Sequence, residues 1–260
     1  MRHFKKIGMI FLILLGIGFI FQATNGISAF TTTPPDHYSS SLTAGTTYNY
    51  QVIEFNGPVN WWTEGKYLDT NQNGEISITL LGFADQSAVF WASNLNPVPF
   101  CNITSKYLEG GVLKKNVTFV NKSTTEIGSM LVLGYNDYNP GFITSINWTH
   151  EKLLATNSVD PTGSIPGTVT FDESNPAQIK MVFKQAPVYG NQNTTLIYNK
   201  DTGVLIYAKT EIFFFNLYSL EIQLKEGNIP GYSIEIFGLL SIIAVIAIVL
   251  VKKKNIFNTK

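Results

Sequence analysis

The chain has 260 residues, of which 45% are hydrophobic, and its formal net charge is zero. The charge is unevenly distributed, because residues 30–229 carry 11 basic and 17 acidic side chains, a net charge of −6. This excess of acid disfavours a nucleic-acid-binding protein, which presents a basic face. Cys101 is the only cysteine, so an intrachain disulfide is excluded, and we expect it to be a small buried hydrophobe.

Residues 1–29 have the three-part layout of a secretory signal peptide. A basic head is followed by the apolar run Ile7–Phe21 and then by small and polar residues that end at Ala29. Cleavage after Ala29 is the first expectation and cleavage after Gly26 the second. An uncleaved segment would instead form a second membrane helix with the same topology. In either case the residues that follow are expected to be extracellular.

The segment 30–45 is rich in Thr, Ser and Pro, which predicts a flexible, exposed lead-in. From residue 46 to 226 the pattern changes to period-2 alternation, which indicates strands with one buried and one hydrated face. The clearest alternating runs are 48–52, 75–80, 116–119, 168–171, 179–184 and 217–224. We expect eight to eleven strands in a mainly β extracellular domain. Its predicted architecture is a single antiparallel, strongly curved sheet or half-barrel, with a β-sandwich as the alternative.

One or two short helices are also predicted within this domain. Trp148–Thr156 fits a helix that is capped by Asn147 or Thr149. The run Ser123–Glu126 fits a capping box. The residues Met130–Leu133 behind it suit a strand as well as a helix, so both alternatives stay open there.

The sequence contains a partial calcium-loop pattern and two histidines outside the signal segment. Asp69–Ile76 matches the first eight positions of the loop, but Leu80 stands where a bidentate Glu is needed. A polar hairpin turn explains the same residues, so no metal or cofactor is predicted. His37 and His150 are expected to be surface residues, and no catalytic residue is predicted. An anchored hydrolase with two acids that meet in space is the alternative.

Five N-glycosylation sequons lie in the predicted extracellular domain, and the terminal segments contain none. Their asparagines are Asn102, Asn116, Asn121, Asn147 and Asn193. Because five matches occur together on an exported chain, we expect at least two of them to carry glycans.

Three aromatic groups are conspicuous: Trp61–Trp62, Phe90–Trp91 and Phe213–Phe215. Packing in the core of a curved sheet is their expected role. The alternative is an apolar pocket that these rings line on a concave sheet.

The C-terminal segment has the features of a membrane anchor. A short tether, 227–231, precedes a predicted transmembrane helix from Tyr232 to Val251, which is uncharged from Ile236 onwards. Its 20 residues match a hydrocarbon core of about 30 Å, because a helix rises about 1.5 Å per residue. The triplet Lys252, Lys253 and Lys254 begins a basic tail, 252–260, which is expected to be cytoplasmic.

The ending Ile229–Tyr232, followed by an apolar helix and a lysine cluster, resembles the tripartite C-terminal sorting signals of archaeal surface proteins. Those signals have a Pro-Gly-Phe-type motif, a helix and a basic tail, and Tyr232 stands in place of the Phe. The resemblance implies sorting with cleavage and lipid attachment. Because of the departure at Tyr232, a retained single-span anchor is the expectation.

A second resemblance lies at residues 199–203, where a polar loop between two apolar runs predicts a hairpin with a positive φ at Gly203. The surrounding run, Tyr198–Leu205, is similar to a hairpin of archaeal secreted β-proteins. Some of those resemble the curved half-barrel of bacterial lipoprotein carriers, which hold acyl chains on a concave face. The resemblance implies a lipid or other hydrophobic ligand for this sheet.

The sequence therefore predicts a cell-membrane protein with one span, an extracellular β domain and a cytoplasmic C-terminus. Its expected role is non-catalytic binding or structure at the cell surface, with a hydrophobic-ligand or lipid site as one option. The expected partners are the lipid bilayer and a lipid, a glycan or an envelope protein, and no nucleic acid.

Overall fold

A computed structural model describes residues 30–56, 59–63, 66–86, 96–159, 165–186, 191–213 and 217–225, with the backbone alone at 59–63 and 66–68. The predicted signal peptide and cleavage site, and the predicted anchor from Tyr232 to Lys254, lie outside these residues. Within the described ranges, neither helix has the length and apolar character needed to span a membrane.

The described residues form eleven strands and two α-helices. The strands are β1 Thr47–Asn56, β2 Val59–Thr63, β3 Lys66–Leu68, β4 Glu75–Ala84, β5 Val98–Glu109, β6 Val112–Ser123, β7 Gly167–Asp172, β8 Gln178–Gln185, β9 Asn193–Asn199, β10 Leu205–Phe213 and β11 Leu217–Leu224. The helices are α1 Thr124–Met130 and α2 Trp148–Ser158.

Nine of the strands form one open antiparallel sheet in the order β6-β5-β4-β1-β11-β10-β9-β8-β7, and β2 pairs only with β3. The prediction of a mainly β, single antiparallel sheet is confirmed. The sandwich alternative is wrong for these nine strands, because they share one hydrogen-bonded ladder. The first strand of the sheet lies beside the last, so β1 and β11 join its two halves.

The two faces of the sheet differ in polarity, as the period-2 alternation predicts. In β4, Ile76 and Ile78 are fully buried on one face, whereas Glu75 and Ser77 lie half-buried on the other. Successive side chains of a strand point to opposite faces. Because this pattern recurs from strand to strand, one face of the sheet is apolar and the other is polar.

Residues 124–159, which include both helices, cover the apolar face. Ile127, Leu133 and Phe142 from this segment belong to the same buried cluster as the inward side chains of the sheet. The segment 30–45 also contributes, because Tyr38 is only 7% and Leu42 only 2% exposed. The expectation of an exposed lead-in is therefore wrong for these two residues. The many Ser, Thr and Pro residues of this segment give no local indication that Tyr38 and Leu42 pack into the core.

Both helices begin at the predicted caps. The Ser123 hydroxyl accepts a hydrogen bond from the Glu126 N–H at 3.1 Å, and the Asn147 side chain accepts one from the His150 N–H at 3.2 Å. These caps satisfy N–H groups that have no partner within the helix. The strand alternative for residues 130–133 is wrong, because α1 extends to Met130 and a turn follows it.

The predicted hairpin joins β9 to β10. Gly203 has a φ of 70°, and the Asn199 side chain accepts hydrogen bonds from the N–H groups of Asp201 and Thr202. The Thr144 N–H donates to the Gly203 carbonyl at 2.9 Å, so the hairpin also holds the covering segment against the sheet.

Candidate functional site

The polar face of the sheet is a continuous surface that extends over all nine strands. One row of neighbouring side chains crosses all nine strands on this face, and none of its members is buried. From β6 to β7 the row is Asn116, Lys106, Glu75, Gln51, Gln223, Tyr207, Ile197, Lys180 and Asp172.

The charges on the polar face largely neutralise one another. The Lys209 ammonium nitrogen lies 3.1 Å from a carboxylate oxygen of Glu221, 3.4 Å from one of Glu211 and 3.5 Å from one of Glu54. The Ser219 hydroxyl donates to Glu54 at 2.7 Å, and this bond, together with Lys209, lowers the pKa of Glu54. The three acids and the lysine therefore form one ion-paired cluster on this face.

These acids bear on the alternative of a hydrolase with two acids that meet in space. A glycosidase-type general acid needs a raised pKa so that it holds a proton at neutral pH. Glu54 has the opposite shift, and the cluster around Lys209 lies on an open sheet face. The arrangement suits ion pairing rather than acid–base catalysis.

Glu75 occupies a second ion-paired position on the polar face. Its carboxylate lies 2.8 Å from the Lys106 ammonium and also contacts the Lys225 ammonium. Hydrogen bonds from Lys106 and then Lys225 lower the pKa of Glu75. Lys225 is the last described residue, and its N–H donates to the Asn49 carbonyl at 2.8 Å. The C-terminal end of β11 is therefore held against the start of β1.

A shallow depression of about 130 Å³ lies on the polar face, where β7 meets β8 and β9. Its lining includes Asp172, Lys180 and Ile197. Sites for small organic ligands enclose about 300–1,000 Å³, so the depression is too small for such a ligand.

A buried carboxyl group, Glu151 of α2, lies on the other side of the sheet. It is only 4% exposed, and the Tyr138 hydroxyl donates to it at 3.0 Å. Burial raises the pKa of Glu151 to about 7, although hydrogen bonds with Tyr138 and Thr144 oppose the shift. Burial and the Glu151 charge raise the pKa values of Tyr38 and Tyr198, which face the same site.

The sequence did not single out Glu151. The predicted helix includes Glu151, but no local pattern marks this residue as buried, and its neighbour His150 is the more conspicuous titratable group. The His150 Nε2 atom is buried and has no hydrogen-bond partner among the described residues. Because Glu151 is enclosed by tyrosines and a threonine, substrate does not reach it, and its chemistry is limited to holding or losing a proton within the fold.

The partial calcium loop is a turn that ties two hairpins together. The Asn71 side chain donates to the Leu108 carbonyl at 2.7 Å and accepts from the Leu108 N–H at 3.0 Å. The Thr70 hydroxyl donates to the Lys106 carbonyl at 3.1 Å. The Asn71 side-chain oxygen is thus occupied by a backbone N–H, and the described residues contain no cluster of His, Cys, Asp or Glu that suits a metal ion.

Cys101 is fully buried in the core, as predicted, and burial raises the pKa of its thiol. A thiol in such surroundings is unreactive. Phe213 does not have the predicted core position, because it is 59% exposed at the end of β10. The other conspicuous aromatic residues lie outside the described residues, or in β2, where the backbone alone is described.

The five sequon asparagines occupy different parts of the domain. Asn102 is half-buried on β5, where its side chain accepts a hydrogen bond from the Asn121 N–H at 3.1 Å. Asn116 and Asn121 are exposed on β6, Asn147 is exposed at the cap of α2, and Asn193 is exposed at the start of β9. Three of the five therefore lie on two adjacent strands at one end of the sheet order.

The fold and its surfaces define a single-sheet, mainly β domain with a covered apolar face and an open polar face. No model of a known protein family matches the chain, and no curated protein matches it.

Proposed function

We propose that this chain is a membrane-anchored, N-glycosylated cell-surface protein with a non-catalytic role, and that the polar face of its sheet contacts an envelope protein or glycan. The terminal segments support the location: residues 1–29 have the pattern of a signal peptide, and 232–251 that of an anchor followed by lysines. An archaeal-type C-terminal signal at Tyr232 that is retained as a single-span anchor, and a strongly curved, half-barrel sheet, are part of this proposal.

The covered apolar face carries the proposal, because it favours a contact role over a lipid-carrying role. Phe142 of the covering segment packs edge-on against Tyr50 of β1, with ring centroids 4.9 Å apart. The Tyr198 hydroxyl of β9 donates to the Gly141 carbonyl at 2.6 Å. An acyl chain on this face would have to displace side chains that are already packed and hydrogen bonded. The option of a hydrophobic ligand is therefore the weaker one.

The position of the C-terminus supports a contact near the membrane. Six residues separate Lys225 from the predicted start of the anchor at Tyr232. The seven Cα–Cα steps from Lys225 to Tyr232 span at most about 25 Å when fully extended. The domain is thereby held close to the lipid surface, within reach of other membrane-bound or envelope components.

Native mass spectrometry of the full-length protein, extracted from its membrane in mild detergent, tests the choice between contact and carrier roles. We expect masses that the polypeptide and its N-glycans account for, with no retained lipid. A lipid that stays bound at defined stoichiometry would refute the contact role and establish the carrier role.

Site-specific photo-crosslinking in intact membranes tests the polar face. A photoreactive residue at Gln223, which is exposed on this face, is expected to crosslink to another surface component. The matched control is Leu153, which is exposed on α2 beyond the covered face. Crosslinks that form at Leu153 and not at Gln223 would show that the contact lies on the side of the sheet covered by the helices, and would contradict the proposed role of the polar face.

A further inference from the structure

Among the described residues, the edge of the nine-stranded sheet at β6 has no hydrogen-bonded strand beside it, although β3 lies close to part of it. β6 has 12 residues and is about 40 Å long, whereas β7 at the opposite edge has only 6. The β2–β3 hairpin is not paired with β6. An edge strand presents unpaired N–H and C=O groups to which another chain can add a strand.

The usual protection of such an edge by lysines is weakened here. Lys114 lies 3.8 Å from Glu109, Lys115 lies 3.0 Å from Asp69, and Lys122 forms an ion pair with a glutamate of α1. Paired lysines repel a second copy of the same edge less than free lysines do. β6 also exposes apolar side chains, among which Val120 is 49% exposed. The lysines and the exposed apolar side chains therefore leave β6 able to pair with the edge strand of another molecule.

Two sequon asparagines lie on this strand, on either side of Val120. Asn116 and Asn121 are both exposed, and neither side-chain nitrogen donates a hydrogen bond within the described part of the chain. Asn121 sits at an irregularity in the β5–β6 pairing and has a φ of 54°. By contrast, the side-chain amide of the half-buried Asn136 donates to two backbone carbonyls. The nitrogens of Asn116 and Asn121 are thus open to modification.

We propose that Asn116 and Asn121 carry N-glycans in the mature protein, and that these glycans prevent β6 from pairing with β6 of a second copy. The step joins the asparagine Nδ2 to the anomeric carbon of a lipid-linked sugar donor. The bond from that carbon to the lipid phosphate breaks, the phosphate leaves with its electron pair, and one amide proton is released. The proposal rests on the extracellular location proposed above.

Site occupancy and association state test the proposal separately. Peptide mass spectrometry of the full-length protein from a host that glycosylates exported chains is expected to show glycans at both asparagines. The variant Asn116→Gln/Asn121→Gly removes both sites, and glycine tolerates the positive φ at 121. Light scattering after size exclusion is expected to show twice the wild-type polypeptide mass or more for this variant. The control Asn193→Gln, on β9, is expected to stay at the wild-type mass.

A second pair of variants separates loss of the glycan from loss of the asparagine. In the Asn121→Gly background, Thr118→Ala removes the acceptor sequon of Asn116, whereas Thr118→Ser keeps it. The Thr118→Ala variant, which has lost the Asn116 glycan, is expected to self-associate. The Thr118→Ser variant, which keeps the sequon, is expected to self-associate less. In the associated form, hydrogen exchange at the β6 amides is expected to slow.

Three results would overturn the proposal. Bare asparagines at 116 and 121 beside glycans at other sequons would contradict the modification alone, whereas bare asparagines at all five sequons would count against the extracellular location. Glycans at both asparagines in the wild type, together with a double variant that remains monomeric, would contradict only the proposal that the glycans prevent pairing of β6. Equal association in Asn193→Gln would show that the effect is not specific to the edge.

Discussion

Replacing Glu151 by Gln is expected to stabilise the protein at pH 8 and to leave its stability unchanged near pH 4.5. Burial raises the pKa of this carboxyl from 4.5 to about 7. The folded protein therefore binds the proton more tightly than the unfolded chain. It follows that the Glu151 contribution favours folding most at pH values below 4.5, and that stability falls as the pH rises from 4.5 through 7.

The size of the effect follows from the same shift. One pKa unit corresponds to about 1.4 kcal/mol, so the ionised Glu151 costs about 3 kcal/mol of folding free energy above pH 7. Gln has nearly the shape of the protonated acid, and its amide oxygen can accept the Tyr138 hydroxyl hydrogen that the carboxylate accepts now. The variant is thus expected to be about 3 kcal/mol more stable than wild type at pH 8.

Urea unfolding of wild type and Glu151→Gln at several pH values between 4.5 and 8 measures this difference. The pKa values of other carboxyls, such as Glu54 and Glu75, are lowered in the folded protein. Their contributions to stability change mainly below pH 4.5, so they do not mask the effect of Glu151 between pH 4.5 and 8. Glu109→Gln, at an exposed position, controls for the loss of one negative charge. A difference that does not grow with pH, or a variant that is less stable than wild type at pH 8, would refute the reasoning.

Two further pairs of variants test the packing of the covering segment and the hairpins. Gly203→Ala is expected to destabilise the protein more than Gly110→Ala in urea unfolding. Both glycines have positive φ, but an added Cβ at Gly203 would lie 2.1 Å from a backbone carbonyl oxygen, and at Gly110 it would meet nothing within 4 Å. The positive φ alone costs alanine about 1 kcal/mol at either position. Equal losses of stability in the two variants would therefore contradict an additional clash at position 203. Tyr198→Phe is expected to cost about 1–2 kcal/mol, because the Gly141 carbonyl loses its hydroxyl donor. Tyr48→Phe is expected to be neutral in the same urea unfolding assay, because the Tyr48 hydroxyl has no partner among the described residues. A larger loss for Tyr48→Phe would contradict the hydrogen-bond assignment.

Local features of the domain could be predicted from the sequence because they depend on neighbouring residues. Alternation in β4 and β11 follows from the two-residue repeat of a strand. The Asn147 cap and the positive φ of Gly203 follow from side-chain hydrogen bonding and from the missing Cβ. The burial of Cys101 followed from its chemistry. The sequence alone also supports the predicted anchor and signal peptide, since uncharged length and flanking lysines are local properties.

The features that bear on function required the tertiary structure. The pairing of β1 with β11 brings together residues as distant in sequence as Glu54 and Glu221, and no local pattern encodes that order. The sequence placed Glu151 on a helix but not beneath Tyr138, because burial depends on which face of the helix the sheet receives. Likewise, five equivalent sequons became distinguishable only when the strand order placed Asn116 and Asn121 on a free edge. Periodicity determines which side chains share a face, whereas long-range pairing decides which faces and edges stay open for contact.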